Sequence, residues 1–174
     1  MELYRWYILK YGAYALLAVA LFRLQSIPGL LEIGGVRPLP VAALAILVAT
    51  MERELPGVLF CIFCGYLCDL YGVAPMGFYM LFLTILGLAA GLIIRNYLQS
   101  SLPIIMAVVL IAAFFCRLVL FLFRYPLAGV TGAAPVLLRY DLPHAVYSAV
   151  LAVPLYYPVR ALHRMAEERT DTRL

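Results

Sequence analysis

Charge is what this sequence has least of. Of its 174 residues only 13% are Asp, Glu, Lys or Arg, while 66% are hydrophobic, at a mean hydropathy of +1.00. Soluble domains average about a quarter charged and about half apolar, so a water-soluble globule does not fit. Other absences narrow the chemistry. There is no phosphate-cradling glycine loop, no His-Glu-x-x-His and no carboxylate pair at a cleft. No basic stretch is interleaved with aromatics, which argues against nucleic acid as a partner, and the net charge of +4 fits cytoplasmic loops instead. Only two histidines occur. His144 opens the last apolar segment and His163 follows it, neither with a Ser, Cys or acid at triad or zinc spacing. They read as interfacial and surface residues. The expectation is a non-enzyme with no cofactor and no metal.

Long apolar runs are what is present. A membrane-spanning helix needs about 20 mostly apolar residues, and six segments qualify or come near: 6–22, 38–51, 55–70, 76–94, 102–123 and 145–159. They predict an all-α integral membrane protein, a compact bundle of about six transmembrane helices over 1–163, with a short polar tail at 164–174. The second segment is short, suited to a thinned bilayer or a partly re-entrant course. Arg5 and Lys10 precede Tyr11–Phe22, which contains Ala18-Val19-Ala20, a signal-peptide-like layout. Five more spans follow, so an uncleaved first helix is the reading adopted. Arg95 and Asn96 mark a polar turn, and Pro154 and Pro158 should bend the last helix.

Loop charges orient the chain. With the N-terminus inside, the inner segments carry Arg5, Lys10, Arg53, Arg95, Arg160, Arg164, Arg169 and Arg173. The outer ones carry Arg23, Arg37, Arg124 and Arg139, and Arg117 lies within a span. The bias favours both termini in the cytoplasm. Tyr4, Trp6, Tyr7, Tyr11, Tyr66, Tyr71, Tyr97, Tyr125 and Tyr140 fall near the expected interfaces, as an aromatic belt does.

The third segment concentrates the sequence's unusual residues. Cys61, Cys64 and Cys68 have C-x-x-C-x-x-x-C spacing, a metal pattern in a soluble loop. On a membrane helix they point at mixed angles, and thiolates are costly in hydrocarbon, so they read as small apolar residues. Gly57, Cys61, Gly65 and Asp69 recur every four residues and share one helix face. A small-x-x-x-small face admits a neighbouring helix closely; it serves here as a packing and partner face. The acids Glu52 and Glu54 flank Arg53 in a turn and read as solvated. Asp69 and Arg117 reach similar depths, so they either pair with each other, or Asp69 caps a helix end while Arg117 snorkels to the interface.

The stretch LQSIPGLLEIGGVRPLP (residues 24–40), the short second span and then PGVLFCIFCGYLCDLYGVAPMG (residues 56–77) together resemble the rod shape-determining protein MreD family. The matching positions are Leu24, Gln25, Ser26, Ile33, Gly34, Gly35, Pro38, Gly57, Gly65, Asp69, Pro75 and Gly77. Cys61 stands where the family usually has glycine, and Leu39 where an acid often follows the proline. The motifs cover roughly residues 22–80; the remainder agrees in length and hydropathy. The resemblance implies a non-enzymatic inner-membrane subunit of the elongasome, binding MreC. It would help to organise MreB, with the RodA transglycosylase and its penicillin-binding partner, during lateral peptidoglycan synthesis. The family also resembles, in fold, the substrate-binding subunits of energy-coupling-factor vitamin transporters, which supplies a rival reading. Such subunits dock through an Ala-x-x-x-Ala pattern in helix one; Ala13, Ala15, Ala18 and Ala20 include no pair four apart.

Overall fold

The shortest of the described helices lies at the centre. In the computed structural model, which describes residues 2–27, 29, 38–70, 74–97, 101–124, 139 and 141–171, six α-helices run in order. They are α1 Glu2–Ser26, α2 Pro40–Met51, α3 Glu54–Leu70, α4 Phe78–Tyr97, α5 Leu102–Arg124 and α6 Leu142–Asp171. No strand occurs among the described residues. Every residue of α2 from Pro40 to Thr50 is buried. A helix that is apolar all round can face lipid or be enclosed by protein; α2 is enclosed, meeting each of the other five described helices. Its alanines (Ala42, Ala43, Ala45 and Ala49) keep it thin enough for that crowding.

At 1.5 Å per residue, α2 is about 18 Å long, well short of the roughly 30 Å hydrocarbon thickness. It therefore ends inside the bundle, and both of its ends require polar partners from other helices. Among the described residues four helices are long and apolar enough to cross a membrane: α1, α4, α5 and α6. α3, with 17 residues, packs chiefly on α4 and α2. Large apolar side chains line the outside, among them Leu16, Leu59, Ile85, Ile111 and Val150. That arrangement suits a lipid solvent.

Several helix limits differ from the expected spans. α1 begins earlier and runs on through Gln25 and Ser26. Arg95 and Asn96, expected in a turn, form the last turn of α4, where a cation complements the helix dipole. α6 starts at Leu142 and continues through the expected tail to Asp171, with Pro154 and Pro158 inside it. Glu52 caps the α2 C-terminus by its backbone, its N–H donating to Val48 O at 2.9 Å.

Candidate functional site

Three features meet around α2: a glycine-lined rail on α3, a polar junction at the N-terminal end of α2, and a charged network at its C-terminal end.

The rail is the Gly57, Cys61, Gly65, Asp69 face. All four residues are buried. Gly57 faces Ala49 of α2, where an added Cβ would sit 3.2 Å from the Ala49 Cα. Cys61 Sγ donates to the Ala45 carbonyl of α2 at 3.5 Å, and it fills the space that Gly87 of α4 leaves open. At Gly65 an added Cβ would lie 2.8 Å from both Met80 N and Tyr79 O, and nearer still to the Met80 Cα. The first turn of α4 thus rests directly on Gly65. One helical turn further, Asp69 receives that turn's amides: Tyr79 N donates to Oδ1 at 2.9 Å, and Gly77 N and Met80 N to Oδ2 at 3.1 Å each. Phe78 N is taken by the Pro75 carbonyl at 3.1 Å, and Gly77 turns the chain with φ +89°. The orphan donors that begin every helix are all answered here, and a carboxylate at a helix N-terminus also gains from the dipole.

α2 and α4 both lie against this face, so it joins helices of one chain. We expect Asp69→Ala to strand three amides and cost about 1–3 kcal/mol, with Asp69→Asn retaining part of the loss. Thermal unfolding in detergent reads this directly, and an unchanged midpoint for the alanine variant would remove the capping role.

The second feature answers the question of Arg117. Its Nε donates to Asp141 Oδ1 at 3.0 Å, both side chains mostly buried. Asp69 spends its carboxylate on backbone amides, and the alternative pairing of Asp69 with Arg117 is not formed. A charge swap therefore separates the two ideas. Arg117→Asp with Asp141→Arg should recover part of what each single change loses, while Arg117→Asp with Asp69→Arg should recover nothing. His144, expected at the interface, is instead buried at 4% exposure, and Ser148 at 1%. Ser148 Oγ donates to the His144 carbonyl at 2.8 Å and accepts from Leu39 N at 3.3 Å, tying α6 to the start of α2. Asp141 was missed from sequence; its signal is a lone acid just before the last span, at the depth of Arg117.

The third feature overturns the solvated reading of Glu52, which is only 4% exposed. Lys10 of α1 forms an ion pair with Glu52 Oε1. Tyr14 donates to Oε1 at 3.1 Å and Tyr11 to Oε2 at 3.2 Å. His163 Nδ1 of α6 lies 3.1 Å from Oε1 and 3.2 Å from Lys10 Nζ. Arg95 of α4 donates to the Glu52 carbonyl at 2.6 Å and to Glu54 Oε1 at 3.2 Å. Burial pushes the Glu52 carboxyl up, but hydrogen bonds from His163 and Lys10, with their charges, outweigh it and hold the group at about 2 against an ordinary 4.5. Glu54 remains exposed, as expected. His163 is not a free surface histidine.

The remaining motif residues are placed as follows. Cys61, Cys64, Cys68 and Cys116 are all buried free thiols. Among the described residues no group of three His, Cys, Asp or Glu is placed to hold a metal. Pro38 is buried. Gln25 is buried with neither amide atom hydrogen-bonded. Ile33, Gly34, Gly35, Tyr71, Tyr125 and Tyr140 lie outside the described residues.

The family model of the rod shape-determining protein MreD matches residues 7–166. The chain belongs to the MreD family. Comparison with curated proteins and with solved structures gave no match. MreD membership makes this a multi-pass rod shape-determining membrane protein, of a structural family and not of a known enzyme family. In this chain Gly65 admits α4 and Asp69 caps it. The vitamin-binding reading finds no support.

Proposed function

We propose that this protein is a non-enzymatic inner-membrane subunit of the elongasome. It binds MreC and supports lateral peptidoglycan synthesis, with MreB, RodA and the penicillin-binding protein joined within the same complex. The observation that carries the reading is the MreD match across residues 7–166. The geometry agrees with a scaffold: the acids Glu52, Asp69 and Asp141 each bind a neighbouring helix, and the apolar exterior is available to lipid and to a partner's single span. Because the rail is filled from within, the partner docks on that exterior.

Co-purification from membranes tests the association. Tagged protein should retain MreC in mild detergent, and MreC that washes away at the rate of an unrelated membrane protein would sink the proposal. Orientation is tested separately. The end of the bundle that carries Lys10, Glu52, Arg95 and His163 is assigned to the cytoplasm by the positive-inside rule. Alkaline phosphatase fused after Leu174 should be inactive and a fluorescent protein there bright; the reverse result would invert the topology.

A further inference from the structure

The junction at the start of α2 has polar atoms left over. Tyr79, at 1% exposure, and His144, at 4%, both line a cavity between α2, α4, α5 and α6. The His144 Nδ1 has no hydrogen-bond partner in the protein, and the Tyr79 hydroxyl, which lies beside Arg117, makes no hydrogen bond of ordinary geometry. Each buried atom left so costs about 1–3 kcal/mol, and two beside one cavity call for a common ligand.

Size and charge select its class. The cavity holds about 20 Å³, above the roughly 10–15 Å³ that one water needs and far below any organic ligand. Arg117 also lines it, but Asp141 neutralises that guanidinium at 3.0 Å, so an anion would enter without a net countercharge. At the start of α2, Pro40 has no N–H, and the Ala42 and Ala43 amides both donate to the Leu39 carbonyl. Ser148 Oγ has already spent its hydrogen on the His144 carbonyl. What fits is a neutral molecule that both donates and accepts.

We propose that this cavity is a binding site for one ordered water, bridging Tyr79 and His144 and completing the polar junction of α4 and α6 at the head of α2. Its two bonds would satisfy the hydroxyl and the imidazole together, whichever tautomer His144 adopts, because water serves as donor or acceptor.

Filling the cavity distinguishes a wet site from a dry void. Ala113 lines it, so Ala113→Val should displace the water and lower the unfolding midpoint. In a Tyr79→Phe/His144→Leu background the polar demand is gone, and the same substitution should be less damaging or stabilising. Equal shifts in the two backgrounds, or a gain in the otherwise unchanged protein, overturn the proposal. An experimental map of the unmodified protein at water-resolving resolution gives a second reading that needs no variant. One density peak within about 2.6–3.2 Å of both atoms supports the site; direct contact of the side chains, a dry cavity or a larger molecule overturns it.

Discussion

Glu52→Ala should cost this protein about 3–5 kcal/mol, because it leaves the Lys10 ammonium buried without a counterion. Lys10 is 7% exposed and Glu52 4%, so water cannot replace what is lost. The same change removes the acceptor of Tyr11 and Tyr14 and the carboxylate beside His163 at once, and it loosens α1 and α6 from the end of α2 together. Glu52→Gln keeps the shape and one acceptor and should fall between. Replacing Lys10 with Met and Glu52 with Leu together should be milder than Glu52→Ala, since no buried charge is then left unpaired, although Tyr11 and Tyr14 still lose their acceptor. Unfolding midpoints in detergent across these four proteins would show it. If Glu52→Ala proved as stable as the parent, the network would be ornamental.

The same carboxylate sets an acid limit. Its folded pKa, about 2, lies below the ordinary 4.5, so ionised Glu52 stabilises the fold fully above about pH 4.5. That contribution drains away as pH falls from about 4.5 toward 2. The parent should therefore lose more stability over this interval than Glu52→Gln does. Parallel curves would show that other carboxylates govern the acid response.

Gly65→Ala is the second large effect expected, at about 3 kcal/mol or more. Helix propensity alone favours alanine by about 1 kcal/mol. At residue 65, however, the new methyl would meet the Met80 and Tyr79 backbone of α4, and backbone cannot rotate away as a side chain can. Overpacking of this kind costs about 1–3 kcal/mol. Displacing α4 also draws its first turn off the Asp69 carboxylate, so the capping loss adds to it. Two sister substitutions calibrate the result. At Gly12 nothing lies within 4 Å of the added Cβ, so Gly12→Ala should stabilise slightly. Gly57→Ala meets Ala49 at 3.2 Å and should fall near neutral. An order other than Gly12, Gly57, Gly65, from best tolerated to worst, would contradict the rail geometry.

Local pattern carried much of this architecture. Six apolar segments, their rough limits and the four-residue spacing from Gly57 to Asp69 are all visible along the chain, because hydropathy and helical phase are properties of neighbouring residues. Family motifs between residues 22 and 80 pointed to MreD for the same reason. Even the two readings of Asp69, cap or ion pair, could be written down from depth alone.

Choosing between them required the tertiary structure. Asp69 finds its donors 8 to 11 residues away, Arg117 its acid 24 residues away, and Glu52 its histidine 111 residues away. Nothing in a window of one helix reports such partners. They follow from which helix ends meet, and that is decided by how the long helices close around α2. The same geometry turned Glu52 from a loop acid into a buried hub, because a half-length helix must end inside the bundle. Composition and period thus settled that this chain is a helical membrane protein and which face of α3 is small. Packing in three dimensions settled what that face holds and where each buried charge is answered.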